Sequence, residues 1–355
     1  MVSYDIIRAS NAQISTTLPA RLTAVFAGGT SGLGEYTLKS FDKHVAEPRI
    51  YFIGRSQEAA DRIVKECRSL NPRGEYIFLK KELSLVQNVD EVCQEIIDRE
   101  GPEGYINLLF VSQATAYNTT VTSEGFILPI ALAIYSRFRF ITNLLPLLNR
   151  ATALCRVVSV FLGGREGPID VNDLDFQDGL SKPIKFRNQA LSMMTLSMEV
   201  LAEQNPGVGF IHTAPGSVNA DGSRARSGIF REPGLINGTL RCFSWLALML
   251  GYNLTPEEAG DRHLYYATSA RYPSKASEKS DVKVVPMGEE VEVSEGTDQV
   301  VGSGVYTPGP DGESWATDKV KGCLARMREG YVPAKVWEYI EGEFVRITGR
   351  ASIGP

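Results

Sequence analysis

The chain of 355 residues carries 37 basic and 42 acidic side chains, which give a formal net charge of -5. These charges are mixed and form no basic stripe interleaved with aromatic residues, so nucleic acid is not an expected partner. Five scattered cysteines without a C-x-x-C pair, and only three histidines, argue against a metal site and predict reduced thiols in a cytoplasmic protein. No apolar run reaches the ~20 residues of a transmembrane helix.

Apolar runs alternate with stretches of helical periodicity, which predicts an α/β protein with a doubly wound parallel sheet and helices on both faces. Residues 1–20 are predicted as an N-terminal arm, 21–275 as the sheet domain and 276–355 as a C-terminal extension packed on it. Strands are predicted at 22–27, 49–55, 76–79, 106–112, 156–161, 207–213 and 302–306. Helices are predicted at 58–70, 86–99, 125–149, 189–204, 235–250, 318–327 and 334–347, with another opening at Thr255.

The first predicted strand runs into the glycine-rich stretch Ala27-Gly-Gly-Thr-Ser-Gly-Leu-Gly34. Gly28 allows a tight turn, Gly32 lets the backbone approach a pyrophosphate, and Gly34 lets the next helix pack close to the sheet. The N-terminus of that helix then offers unpaired N–H groups to an anion. The stretch therefore predicts a nucleotide-binding turn, with a plain glycine-rich loop as the alternative.

The glycine turn, Gly54-Arg55, Glu82-Leu83-Ser84 and Pro215-Gly216 follow one another in the order found in short-chain dehydrogenases/reductases. Over roughly residues 21–275 the chain resembles that family, and it looks most like a fungal branch often associated with secondary metabolism. The resemblance implies a Rossmann-type fold with a C-terminal extension. It places the cofactor on Gly28, Thr30, Ser31, Gly32, Leu33, Gly34, Arg55, Glu82, Leu83, Ser112, Gln113, Pro215, Gly216 and Val218.

The identity of the implied cofactor depends on Arg55, which lies 21 positions after Gly34 (55 − 34). An acidic residue there would hold the ribose of NAD, whereas an arginine pairs with a 2′-phosphate. The resemblance thus implies NADP(H), with an ordinary surface arginine as the alternative. Glu82 stands where the family usually has an adenine-binding Asp, Ser112-Gln-Ala-Thr115 replaces its N-N-A-G, and Pro215-Gly-Ser-Val218 would meet the nicotinamide carboxamide.

The catalytic residues of the family are not found in register. Its reductases use a Tyr as proton donor, a Lys four residues later, an orienting Ser and an Asn. The best matches to the Tyr, Lys and Ser positions are Phe186, Ala190 and Leu162, and the Asn position falls on or beside Tyr135. The ordinary mechanism is therefore not supported, and Tyr135 is the candidate proton donor, with a tyrosine of the core or of an interface as the alternative.

Three other features are open to a functional or a structural interpretation. Asp170, Asp173 and Asp175 offer an acid or base, or a solvated loop. His212 lies in a buried-looking strand, where a structural histidine is favoured over a catalytic one. The predicted helix 235–250, with Phe243 among its aromatic residues, suits the wall of a lipophilic substrate site, a core or dimer helix, or contact with a membrane surface.

Together these observations favour an NADP(H)-dependent oxidoreductase that acts on a hydrophobic small molecule of polyketide or terpenoid type, with a non-standard proton donor. A non-redox isomerase, cyclase or dehydratase on the same scaffold is the second hypothesis, because the family's catalytic residues are absent. A non-catalytic nucleotide-binding protein is the third. The sequence leaves a homo-oligomer open.

Overall fold

A parallel sheet of seven strands, in the order β3-β2-β1-β4-β5-β6-β9, forms the centre of the fold and confirms the predicted α/β class. The computed structural model describes residues 1–115, 117–177, 183–218, 253–276 and 282–353. The sheet strands are β1 (Thr23–Ala27), β2 (Arg49–Gly54), β3 (Glu75–Lys80), β4 (Leu108–Val111), β5 (Arg156–Val160), β6 (Gly209–Thr213) and β9 (Val305–Tyr306). A separate parallel pair consists of β7 (Ser217–Val218) and β8 (Asn253–Leu254).

Helices cover both faces of this sheet. They are α1 (Tyr4–Ala12), α2 (Ile14–Thr17), α3 (Gly32–His44), α4 (Gln57–Leu70), α5 (Val86–Glu100), α6 (Leu128–Ile130), a π-helix (Ala131–Tyr135), α7 (Ser136–Asn149), α8 (Pro183–Gln204), α9 (Pro256–Thr268), α10 (Asp318–Glu329) and α11 (Val332–Thr348). The core on one face joins α5, α7, α8 and α11, and the core on the other joins α1, α3, α4 and α9. Of the helices in the described ranges, none combines the length and apolarity needed to cross a bilayer.

Local sequence explains where several elements begin. Every residue of β1, β4 and β5 is buried, because strands of a parallel sheet are covered on both faces and read as apolar runs. Helix α9 begins as predicted, since the Thr255 hydroxyl accepts a hydrogen bond from the Glu258 N–H at 3.1 Å and Pro256 occupies the first turn.

The structure differs from the sequence prediction at three helix boundaries. The arm 1–20 is helical, because Ser3 caps α1 and Asn11 donates to the Asp261 carbonyl on α9 at 2.9 Å. The helix predicted from 125 starts at Leu128, since Gly125 turns with a φ of +91° inside a small hairpin. Helix α8 starts at Pro183 rather than at 189, because a proline is tolerated in a first turn. The predicted helix 235–250 lies outside the described residues.

The C-terminal extension is tied to the sheet domain by a buried ion pair. Arg139 on α7 has a fully buried side chain and donates from Nε and Nη2 to the two carboxylate oxygens of Asp90 on α5, at 2.5 and 2.7 Å. Its Nη1 donates to the Ala351 carbonyl at 2.6 Å, and Asn143 accepts from the Ile353 N–H at 3.0 Å. One charged group thus orders two helices and the tail.

We expect Asp90→Asn to lower the free energy of unfolding by about 3 kcal/mol, because it leaves a buried guanidinium without its counter-charge. Urea denaturation measures this loss. Asp98→Asn, at an exposed position of the same helix, is the matched control and should change stability by no more than about 0.5 kcal/mol. Equal effects of the two substitutions would show that the pair does not hold the extension.

Candidate functional site

The glycine turn lies at the carboxyl end of β1, in the middle of the sheet. Gly28 has a φ of +83°, and its N–H donates to the Ile53 carbonyl of β2 at 3.1 Å. Gly32, with a φ of +56°, opens α3, and a Cβ placed on it would meet no atom within 4 Å. The N-cap residue Ser31 makes no side-chain hydrogen bond to the helix. The first N–H groups of α3 therefore stand in a place where an anion can accept from them.

Two further glycines are required by close contacts. A Cβ on Gly34 would lie 2.3 Å from the Gly28 carbonyl oxygen and 2.6 Å from the Ser112 hydroxyl. A Cβ on Gly54 would lie 2.3 Å from the Thr30 hydroxyl. The turn, the start of α3 and the end of β2 therefore pack so closely that no side chain fits at Gly34 or Gly54. Leu33, beside them, is partly buried.

The segment after β4 closes the inner side of the turn. The Ser112 hydroxyl donates to the Ala27 carbonyl at 3.2 Å, and the Gln113 backbone N would lie 2.8 Å from a Cβ on Gly28. The Gln113 side chain donates to the Ser136 hydroxyl at the start of α7 at 3.1 Å. These two residues line the switch point between β1 and β4, the place where ligands bind in doubly wound sheets.

The predicted adenosine end of the site lies beside β2 and β3. Arg55 directly follows β2 and is exposed. Glu82 is partly buried, and its carboxylate accepts from the Ser84 N–H at 2.8 Å and from the Ser84 hydroxyl at 2.7 Å. Leu83 is buried at 5% exposure. The Glu82 carboxylate is thus used within its own turn, a contact that the sequence did not indicate.

The predicted nicotinamide end follows β6. Pro215 is partly buried and Gly216 is exposed, with a φ of +71°. The next residues form β7, in which Val218 pairs with Leu254. A Cβ on Gly216 would lie 3.0 Å from Pro310, so the segment before the C-terminal helices packs against this turn.

The positions that match the family's Tyr and Lys lie near the start of α8 and hold apolar side chains. Phe186 is 5% exposed, and its ring contacts Tyr117 and Phe176 with centroid distances of 5.3 and 5.0 Å. Ala190 is fully buried, and Leu162 lies just beyond β5. At these three positions the chain has no group that can transfer a proton.

Tyr135, the candidate donor of the sequence interpretation, lies on the π-helix and is 1% exposed. Its ring stacks on Phe126 with centroids 3.6 Å apart and meets the edge of Phe344 on α11 at 6.5 Å. Burial, and then the nearby Tyr339 and Glu343 of the same helix α11, raise the pKa of Tyr135 well above its usual value. These neighbours favour the core interpretation, and a role as donor stays a prediction.

The three aspartates behave as parts of a loop. Asp170 forms an ion pair with Lys185 at 3.1 Å, and this hydrogen bond lowers the pKa of the Asp170 carboxyl. The Asp173 backbone accepts from the Gln189 amide at 2.7 Å, and Asp175 is exposed. Among the described residues, no group of three or more His, Cys, Asp or Glu side chains is placed to hold a metal ion.

A buried polar cluster lies under the carboxyl ends of β4, β5 and β6. The Arg137 guanidinium of α7 donates to the Ser159 hydroxyl at 2.7 Å, to the Val160 carbonyl at 2.8 Å and to the Gln113 carbonyl at 2.9 Å. Arg137 makes no ion pair with any described residue, and burial lowers its pKa to about 9, still above neutral pH. A positive charge therefore lies inside the protein and joins β4 to β5.

His212 belongs to the second half of this cluster. The Thr195 hydroxyl lies 2.8 Å from His212 Nδ1 and donates to the Glu166 carboxylate at 2.7 Å. Burial, and then the charge of Arg137, lower the pKa of His212 to about 3, while burial raises the pKa of Glu166. His212 is thus a neutral core histidine. The sequence indicated a buried histidine here, but not the arginine and the glutamate that the fold brings close to it.

This geometry is that of a doubly wound dinucleotide-binding protein, with a glycine turn at the switch point and an open helix N-terminus beside it. The chain is 36% identical over 346 residues to an oxidoreductase of Emericella nidulans, covering 96% of this chain and 97% of that one. It is 33% identical to the oxidoreductase andH of Emericella variicolor, covering 99% of both. With 27% identity it also matches the short-chain dehydrogenase/reductase SAT2 of Stachybotrys chartarum. The chain belongs to the short-chain dehydrogenase/reductase family of oxidoreductases.

Solved structures show the same fold. An uncharacterized protein from Mycobacterium paratuberculosis aligns with a TM-score of 0.55 and 16% identity, covering 91% of this chain and 93% of that one. The L-sorbose reductase from Gluconobacter frateurii, solved with NADPH and L-sorbose, aligns with a TM-score of 0.51 and 13% identity, covering 77% and 98%. No family model matches the chain.

We expect Gly34→Ala to lower the free energy of unfolding by about 2 kcal/mol, because its Cβ would overlap the Gly28 carbonyl oxygen. Gly342→Ala, in the middle of α11 with no atom within 4 Å of the added methyl group, is the matched control. That substitution should raise stability by about 1 kcal/mol through helix propensity alone. Urea denaturation separates the two, and effects of the same sign would disprove the close packing of the turn.

We expect acid to destabilise the protein through His212, because the unfolded chain takes up a proton near pH 6.5 and the folded state does so only near pH 3. Stability should therefore fall as pH drops through this window, by at most about 1.4 kcal/mol per pH unit for one group. Urea denaturation between pH 4.5 and 6 should show a shallower slope for His212→Gln. A slope equal to that of the wild-type protein would contradict the buried neutral state.

Proposed function

We propose that the protein is an NADP(H)-dependent oxidoreductase that acts on a hydrophobic small molecule, in the biosynthesis of a secondary metabolite, with a non-standard proton donor. The observation that carries the proposal is the glycine turn at the switch point together with Arg55 at the end of β2. The secondary-metabolite role rests on the resemblance to a fungal branch of the family.

Several features of the chain support a cofactor of this kind. The open first turn of α3 and the bare Cα of Gly32 suit a pyrophosphate, because backbone N–H groups can point at it without steric hindrance. Arg55 is exposed and would hold the 2′-phosphate. Gln113 and the segment from Pro215 to Val218 would flank the nicotinamide. When bound, NADPH supplies the hydride for reduction.

The substrate end fits an apolar or aromatic molecule. Tyr117, Phe176 and Phe186 come together from the loop after β4, the loop after β5 and the start of α8. These segments leave the carboxyl edge of the sheet, the edge at which ligands bind in this fold. The clustered rings support a hydrophobic substrate, since apolar side chains line most small-molecule sites.

A non-redox enzyme on the same scaffold is the second candidate. It is favoured by Phe186 and Ala190, because neither can supply the acid or the positive charge that the family's reductases use. Oxidation of NADPH that requires a carbonyl substrate would rule it out. A nucleotide-binding protein without catalysis would be excluded by turnover of any substrate.

We expect Arg55→Ala to weaken NADPH binding by about tenfold and to change NADH binding by less than twofold, because only NADPH carries the 2′-phosphate. Isothermal titration calorimetry with both cofactors measures this difference. The control is Arg73→Ala. Arg73 is an exposed arginine just before β3, at the amino-terminal ends of the strands, and this variant should bind both cofactors as the wild type does. Equal weakening would refute the 2′-phosphate assignment, and no NADPH binding by the wild type at millimolar concentration would refute the proposed function.

A further inference from the structure

The proton donor of the proposed reaction must satisfy two conditions that Tyr135 does not meet. A donor has to reach a bound ligand, and it has to lie at the carboxyl edge of the sheet. The Tyr135 ring is enclosed by Phe126 and Phe344 and is only 1% exposed. A ligand could reach the Tyr135 hydroxyl only if α11 moved away from the π-helix.

The buried cluster does not supply the donor either. Glu166 and His212 have side chains without solvent exposure. Arg137 stays protonated, and its N–H groups donate hydrogen bonds to backbone carbonyls. These groups lie below the edge of the sheet, where they hold strand ends in place but cannot touch a substrate.

Tyr117 satisfies both conditions. It lies in the loop that leaves β4 after Ser112 and Gln113, the two residues that line the glycine turn. Its ring meets Phe186 at a right angle with centroids 5.3 Å apart, and it is partly exposed. The phenol ring of Tyr117 therefore contacts Phe186, the residue at the position that matches the donor tyrosine of the family.

We propose that Tyr117 is the catalytic proton donor, a role that rests on the proposed function. As the carbonyl carbon of the substrate gains a hydride from NADPH, the C=O π bond breaks and its electron pair goes to oxygen. That oxygen takes the proton of the Tyr117 hydroxyl and becomes an alcohol. The phenolate then recovers a proton from solvent at the exposed side of the ring.

The protonation state of Tyr117 agrees with a role as proton donor. Burial raises the pKa of Tyr117, which is protonated at neutral pH in any case, and the alkoxide that forms on the substrate is a stronger base than phenolate and can take this proton. The neighbouring rings Phe186 and Phe176 provide apolar surface for an aromatic ketone. The donor and the substrate wall therefore belong to one aromatic cluster.

A spectroscopic test uses the full-length protein with NADP+ bound, so that no turnover occurs. The probes are acetophenone and acetylnaphthalene with an isotope-labelled carbonyl, whose infrared stretching band moves to lower frequency when the oxygen accepts a hydrogen bond. We expect this shift in the wild type and its loss in Tyr117→Phe. Tyr105→Phe, an exposed tyrosine on the amino-terminal side of β4, is the control and should retain it.

A turnover test uses the same ketones with NADPH. Tyr117→Phe should lower kcat by about 100-fold and leave NADPH affinity within twofold, the size expected for a lost general acid. A ketone band that is unshifted in the wild type, or that is unchanged by Tyr117→Phe but lost in Tyr135→Phe, would overturn the assignment while NADPH binding keeps the proposed function. Failure of the wild type to bind NADPH would overturn both.

Discussion

The site depends on one close contact, the approach of the first turn of α3 to the carbonyl of Gly28. No side chain fits between the two, since a Cβ on Gly34 would lie 2.3 Å from that oxygen. The contact fixes the direction in which α3 leaves the sheet, and so the direction of its free N–H groups. The Ser112 hydroxyl, just after β4, donates to the neighbouring carbonyl of Ala27. This bond fixes the loop after β4 relative to the turn. A nucleotide site and the loop that carries Tyr117 are therefore positioned by the same few atoms.

A second constraint is the charge of Arg137. A buried guanidinium costs free energy unless its N–H groups are hydrogen-bonded. Here they meet the Gln113 and Val160 carbonyls, which lie just past the ends of two neighbouring strands. The charge thus prevents these ends from separating. Burial, and then repulsion from this charge, lower the pKa of His212 and keep it neutral. The cluster thus makes the interior polar under the carboxyl ends of β4, β5 and β6.

The fold could be predicted from the sequence because the patterns that specify its strands, helix ends and turns each lie within a short stretch of the chain. Buried strands read as apolar runs, α9 carries its own cap, and the glycines at 28, 32 and 34 are required by the backbone. The polar cluster could not be predicted, because Arg137, Glu166 and His212 are brought together by helix packing against the sheet. The arm 1–20 was missed for the same reason. Besides its local Ser3 cap, helix α1 is held by hydrogen bonds of Tyr4 and Asn11 to Asp261, far along the chain.

The C-terminal extension covers Tyr135 and so limits which residues a substrate could reach. The π-helix places the Tyr135 ring between Phe126 and Phe344, so α11 encloses the residue that the family pattern brings nearest to the active site. The same helix is tied to the sheet domain by Arg139 and Asp90 through the residues that follow it. In the described part of the chain, that face is closed and Phe186 of α8 carries no proton to donate, which is why the proposed donor is placed on a loop at the edge of the sheet. The C-terminal extension thus closes the helix face around Tyr135, whereas the proposed donor Tyr117 lies on a partly exposed loop at the edge of the sheet.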